Sequence, residues 1–352
     1  MSAAADTAAN AAGRTVSRRS AGAWMEEARR RGLFRVGLPA PWGDGGGYAA
    51  IAATARALTL EAGDPTVGMA FAVRQLICRS FIAAHGSPAQ KERWLPALAS
   101  GDIIAVSLAV SEPDAGARPK LLKTRATKAQ GGWRVSGRKA WVTNAPVAGL
   151  IVVIAIIGEE DGRKRFGAFL TPGDAPGLDI QAGADAGQHG RHCPVVLDDV
   201  FLPDDALLPV EGDAFAALAL PFRTLEDSVG LSVQAAAFER LLRLVARAAP
   251  DDANGEIGAL AGFAALMRQG AAVAAQALDV AAGRDGHDIA TVVGVKNLLE
   301  LALPRLEALP GGGAAGEEAQ GLLKWFALWA GVARHARAAY QERLAAGVRA
   351  GD

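Results

Sequence analysis

The chain has 352 residues, 51% of them apolar, with 37 basic and 37 acidic side chains. That balance suits a folded chain of roughly two or three packed units and excludes bulk disorder. Zero formal net charge leaves no field that would draw the whole molecule to nucleic acid or to an anionic membrane. Cys78 and Cys193 lack the paired spacing of a metal site, so buried thiols in a reducing compartment are expected. Arg14, Arg18 and Arg19 are not followed by the apolar stretch of a secretory signal, which predicts a frayed tail. No apolar run reads as long and uninterrupted enough to span a bilayer. A cytoplasmic protein is the expectation.

In chain order, helical periodicity comes first. Residues 51–60 and 67–84 are alanine-rich helical segments, separated by Gly and Pro punctuation at 39–47 and 63–65. The pattern then changes to strands. Residues 122–129 alternate, Gly131 and Gly132 turn a hairpin into 133–135, and 150–157 is a continuous apolar run. Helical spacing returns through 229–245, 257–282, 289–309 and 317–346, which predicts an antiparallel four-helix bundle. The reading is therefore α+β: an N-terminal helical domain over 1–103, a middle β-barrel or sandwich domain over 104–212, and a C-terminal four-helix bundle over 213–352.

Two motifs sit in the β unit. One is VSLAVSEPDAGA over 106–117, and the other is GWRVSGRKAWVTNA over 132–145. A planar ring system, apolar on its faces and polar along one edge, needs an aromatic wall with hydroxyl and backbone donors at its heteroatoms. Trp141, Thr143 and Ser111 can supply those parts. Read alone, Trp141 and Val142 are equally well buried strand residues and Thr143 a β-former.

Together the motifs resemble the two signatures of the acyl-CoA dehydrogenase family. Ser111, Glu112, Pro113, Ala115 and Gly116 fit the first, with Ala117 and Arg118 replacing its Ser-Asp pair; the second is nearly complete. Further pieces fall in the family's order: the loop 39–47, His85-Gly86-Ser87 with Gln90-Lys91, Trp94-Leu95-Pro96, Pro176-Gly177, and 199–203. The resemblance implies an FAD cofactor with Leu108, Val110, Ser111, Trp141, Val142 and Thr143 around it. It also implies an acyl-CoA substrate near Ala117, Ala330 and Gly331, oxidised to the 2-enoyl thioester, with an electron-transfer flavoprotein or similar acceptor and a homo-oligomer or a mixed oligomer with a related subunit.

The chain departs from the family where the chemistry is done. The usual catalytic carboxylate falls on Ala330 when the last segment is aligned on Gly331, and the following threonine on Val332. A methyl group takes no proton. A minority of family members carry the base at the start of the bundle's first long helix, and in that register Glu226 takes the position with Asp227 in place of arginine. The bland alternative makes both acids ordinary first-turn residues that favour the helix dipole. The region 247–255 lacks the family's R-x-x-F-G contact to the cofactor pyrophosphate, and Gly311-Gly312-Gly313 has lost its flanking phenylalanines. Two functional readings follow: an active dehydrogenase using Glu226, or a non-catalytic partner subunit of a mixed assembly. A third keeps the fold and changes the reaction, with no residue in its favour. His189 and His192 have no carboxylate partner at ligand spacing, so no metal is expected.

Overall fold

The computed structural model describes residues 20–181, 192–280, 288–310, 315–331 and 334–350. The first helices are α1 (Ala21–Arg30), α2 (Gly47–Ala62), α3 (Pro65–Ile77) and α4 (Pro88–Ser100), with α3 running on through a π-helical turn at Cys78–Ala83. Ser87 and Gln90 form a reciprocal capping box at the start of α4, satisfying two otherwise orphaned N–H groups. Gln90 also donates through Nε2 to the carbonyls of Asp205 and Leu207. One residue thus caps a helix and fastens it to the β unit.

Among the described residues seven strands follow: β1 (Val106–Ala109), β2 (Arg125–Ala129), β3 (Gly132–Thr143), β4 (Leu150–Glu160), β5 (Arg163–Pro172), β6 (Leu178–Ile180) and β7 (His192–Pro203). They form one sheet in the order β1-β4-β2-β3-β7-β6, with β5 added alongside β4. The sheet curls over itself. Ile151, Val153 and Ala155 of β4 share a core with Val135 and Val142 of β3 and with Val195, Leu197 and Val200 of β7. Leu150, Val152, Ile154 and Ile156 of the same strand join the core of the helical unit. Burial on both faces is why β4 reads as an unbroken apolar run. The hairpin turn is Gln130-Gly131, one residue earlier than the glycine pair suggested: Gly132 already pairs with Ala129, and Gly131 carries the positive φ of 73°. The segment 122–124 is not strand, because a 3₁₀ turn at Pro119–Leu121 leads into it.

The C-terminal helices are α5 (Leu220–Ala248), α6 (Asn254–Val280), α7 (Ile289–Glu307), α8 (Gly316–Gly331) and α9 (Arg334–Ala350). The four expected helical segments are thus described as five helices, the last stretch falling into α8 and α9. Helix α5 begins nine residues before the periodic stretch read from 229 and continues without a break from a π-helical turn at Phe215–Ala219. The bundle core joins Leu231, Phe238 and Leu241 of α5 to Leu260 and Met267 of α6, Leu299 of α7 and Phe326 of α8. Asp279, near the end of α6, accepts the N–H groups of Tyr48 and Ala49 at 2.7 and 2.9 Å. Gly47 (φ 65°) leaves room for it, since a Cβ there would stand 2.0 Å from the carboxylate. A carboxylate from the bundle therefore caps the N-terminus of α2.

Two helical stretches are, against the expectation from sequence, long and apolar enough to cross a membrane by length and composition, at Pro65–Ala83 and Asp251–Val280. Alanine and glycine raise the hydropathy without the bulky runs that catch the eye. The first stretch is 83% buried within the protein and is a core helix. The second exposes Leu266, Val273 and Val280 along the outer face of α6.

Arg74 joins the helical unit to the sheet. It is fully buried and donates to the carbonyls of Leu98, Ile103 and Ile104 at 2.5, 2.7 and 2.9 Å, with its guanidinium 3.7 Å above the Phe34 ring. Burial lowers its pKa to about 10, with Cys78 opposing the shift. Leu98 lies in the last turn of α4 and Ile103 and Ile104 in its link to β1, so Arg74 sets where the first strand begins. Arg74→Met would strand three buried acceptors, at a cost of about 3 kcal/mol or more. Thermal unfolding of the variant should show a melting temperature lower by roughly 5 °C or more.

Candidate functional site

Glu112 follows β1 and Lys139 lies within β3; both are buried, at 5% and 0% exposure. Lys139 Nζ stands 3.0 Å from Glu112 Oε1 and 3.0 Å from the Val110 carbonyl. The same carboxylate accepts the N–H groups of Lys123 and Thr124 at 2.6 and 2.9 Å. Burial alone would push the Glu112 carboxyl up, but the Lys139 ammonium and the Thr124 and Lys123 donors outweigh it, and its pKa falls below the ordinary value. Burial brings Lys139 down to about 8 against the pull of Glu112. Around this pair the strands are laced together: Ala140 N–H donates to the Ser111 carbonyl at 2.8 Å, and Ser107 Oγ to the Thr143 carbonyl at 2.7 Å.

The clamp decides where the expected cofactor residues stand. Trp141 breaks the regular β3–β7 register and takes φ 60°, an uncommon conformation for a bulky residue. Its side chain is 74% exposed, with the His192 ring 6.4 Å away edge-on. A large aromatic held in a strained conformation and turned outward offers a flat face to a planar partner. Thr143 and Ser111 are half-buried beside it. Val142 is different. Its side chain is fully buried in the sheet core, so only its main chain can meet a cofactor. Leu108 and Val110 are half-buried and lie against the same core as Leu225 of α5 and Trp325 and Trp329 of α8. Ala117 is exposed on the loop after Glu112. Ala330 and Gly331 are the last two residues of α8; their side chains, with Val332, Gly311 to Gly313 and His189, lie outside the described residues. Among the described residues there is no cluster suited to a metal.

Glu226 is not a first-turn acid. It is the seventh residue of α5, whose first turn holds no acid, which removes the helix-dipole explanation. Its side chain is 20% exposed and 3.5 Å from the Arg223 guanidinium. Burial raises its pKa; Arg223 opposes the rise, Asp227 adds to it, and Lys296 opposes it more weakly. Asp227 has the opposite fate. It is 1% exposed and takes Arg223 through Nε and Nη2 at 3.0 and 2.9 Å, and Lys296 through Nζ at 2.7 Å. With both carboxylate oxygens engaged by two cations, Asp227 is a structural counter-charge, whereas Glu226 makes only the longer contact to Arg223. Thr224 Oγ1 meets Tyr340 Oη at 3.3 Å at the edge of this group. Sequence reasoning passed over Lys139, Arg223 and Lys296; only the i, i+4 spacing of Arg223 and Asp227 could have signalled any of it. A surface hollow of about 380 Å³ lined by Asp252, Glu256, Arg305 and Leu309 is near the other end of α5, roughly 35 Å from Glu226 at 1.5 Å per residue. It takes no part in the site.

A helical unit, a curled sheet and a second helical unit, with the strand signatures at their junction, define the class of acyl-CoA dehydrogenase folds. The family model of the acyl-CoA dehydrogenase N-terminal domain matches residues 3–102, and that of the middle domain matches 107–200. The chain belongs to the acyl-CoA dehydrogenase family. It is 35% identical over 148 residues to a mitochondrial 2-methylacyl-CoA dehydrogenase of Solanum tuberosum, covering 42% of this chain and 36% of that protein. It is 30% identical over 164 residues to an L-prolyl-[peptidyl-carrier protein] dehydrogenase of a Serratia strain, covering 44% and 42%. The chain thus matches under half the length of these relatives. In fold it is similar to the FAD complex of PigA, with a TM-score of 0.72 at 21% identity over 86% of this chain and 83% of that one.

Because Glu112 titrates below its ordinary value, the stability it confers is complete above the ordinary carboxylate range and is lost as pH falls through the folded-state value. Glu112→Gln should cost about 3 kcal/mol at neutral pH, by leaving Lys139 without its counter-charge. Denaturant titrations at falling pH should show the gap between variant and parent closing.

Proposed function

We propose that this chain is an FAD-dependent dehydrogenase that desaturates an acyl thioester between its α and β carbons, with Glu226 as base. The observation that carries the reading is the division of labour between adjacent carboxylates, one locked between two cations and the other partly open, with burial raising its pKa. A base works best when its pKa approaches the working pH, and burial moves Glu226 in that direction. The family's usual base position being Ala330, the proton must go elsewhere.

The residues present fit the cofactor. Trp141 offers its exposed face to the ring system, Ser111 and Thr143 offer hydroxyl and main-chain groups to the polar edge, and Leu108 and Val110 the apolar floor. FAD, when bound, accepts the two electrons that leave with the substrate's β-hydrogen. Glu226 takes the α-proton and later gives it to solvent. Arg223 and Lys296 limit the charge that builds up in the bundle as Glu226 ionises and protonates. Leu225, Trp325 and Trp329 exclude water from the acyl chain. The relatives support a thioester on coenzyme A and, in the Serratia protein, one on a carrier protein. The apolar outer face of α6 supports a homo-oligomer or a mixed one, and an electron-transfer flavoprotein or similar acceptor would collect the electrons.

Anaerobic addition of an acyl thioester should bleach the flavin of the parent, while Glu226→Gln keeps its flavin but bleaches about a thousandfold more slowly. Persistence of full-rate bleaching in that variant would remove Glu226 from the mechanism. In the parent the bleaching rate should rise as pH climbs through the raised Glu226 value, because the base acts ionised. Lys296→Met deletes a cation that lowers that value, so the same rise should come at higher pH; an unmoved profile would mean that Lys296 does not act on the base.

A further inference from the structure

We propose that the loop leaving the flavin-site strand is the docking surface for a small acidic carrier protein that brings the acyl group as a thioester on a flexible arm. The inference rests on the thioester reading above and names the bearer of that thioester. In a chain of zero net charge, residues 112–124 hold Arg118, Lys120 and Lys123 against a single exposed acid, Asp114, since Glu112 is buried and paired. Neighbouring strands add Lys164 and Arg138 at the same place, with Glu159 opposite Lys164 but held by Arg125 at 2.8 Å. Lys164 donates to the Lys120 and Leu122 carbonyls at 2.8 Å each. Gly137 lies directly against Thr124, which sets the exposed Arg138 beside Lys123. Among the described residues none of these five cations pairs with a carboxylate. Next to Lys120 the apolar side chain of Leu121 stands 45% exposed.

The form of the surface selects the partner. A site for a small phosphate ligand gathers converging, partly buried donors. Here Arg118, Lys120, Lys123 and Arg138 are all exposed, and Arg118 spends its guanidinium on the Asp114 and Ala115 carbonyls of its own loop. An exposed leucine within a rim of cations is instead the anatomy of a protein interface, with an apolar anchor and charges that steer approach. The loop starts at Glu112, immediately after the Ser111 that flanks the cofactor position. A carrier seated on Leu121 therefore delivers its arm at the entrance of the site. An acidic electron acceptor would be attracted by the same charges, but it needs no access for an arm.

The test uses the full flavin-loaded chain with two probes, an octanoyl-loaded holo acyl carrier protein and octanoyl-CoA. Direct binding of the carrier is measured at low and high salt for the parent, for Lys120→Glu combined with Arg138→Glu, and for Leu121→Asp, with melting temperatures confirming that each variant is folded. The parent should bind the carrier more weakly as salt rises. Both variants should lose about tenfold or more in carrier affinity, the charge-reversed one also losing its salt dependence, while octanoyl-CoA reduces the flavin as in the parent. Equal losses with both probes would place the cations in the small-molecule site and overturn the proposal, as would failure of the parent to bind the carrier. A loss seen only in reoxidation by an electron-accepting flavoprotein would assign the surface to that acceptor and overturn it too. Because binding is read without turnover, an inactive chain that still binds the carrier would refute the dehydrogenase reading and leave the surface standing.

Discussion

The buried ion pair between Glu112 and Lys139 is the constraint on which the site depends. A carboxylate and an ammonium so deeply buried persist only when their remaining hydrogen-bonding capacity is filled, and here the Val110 carbonyl and the N–H groups of Lys123 and Thr124 fill it. The pair holds the loop after β1 against the middle of β3. It fixes Lys139 inward two residues before Trp141, and the register slips between Lys139 and Val142. That slip turns Trp141 outward while Val142 stays in the core. The most conspicuous feature of the site, an exposed tryptophan in a left-handed conformation, therefore follows from a charge pair one turn of strand away.

A second buried charge system governs the proposed proton transfer. Arg223 and Lys296 set two positive charges against the one negative charge of Asp227, and Glu226, whose pKa burial raises, faces Arg223 at their margin. In the proposed mechanism the base stands on α5 and not in the last helical segment, where alanine occupies 330. That position also ties the chemistry to α7, which supplies Lys296, so the packing of that helix bears directly on the ionisation of the base.

The order of helical and strand segments was legible because periodicity is a local property. Residues 150–157 read as a strand and 67–84 as a helix, and both are so. The strands β1 and β3 were legible through the signatures they carry, which fix residue types at short spacing. Contacts between distant residues were not. Asp279 caps α2 from 231 residues away, Arg74 collects carbonyls from another segment, and Lys296 reaches Asp227 across 69 residues; no local pattern announces such pairings. Local ambiguity also misled. Gly131 and Gly132 are interchangeable as turn formers until the pairing of Gly132 with Ala129 decides, and Glu226 looked like a first-turn acid because the clear helical period begins only at 229, whereas the helical backbone runs on from the turn at Phe215–Ala219. The apolar character of α6 escaped notice because it is built from alanine and glycine.

The central claim is that the strands clamped by Glu112 and Lys139 form a flavin site on this chain itself. Titrating FAD into the purified, flavin-free chain and following its visible absorption tests this most directly. The account predicts uptake of one flavin per chain, with quenching of tryptophan fluorescence that is much reduced in Trp141→Leu. A folded chain that takes up no flavin at any FAD concentration, in the absence of any other protein, would contradict it.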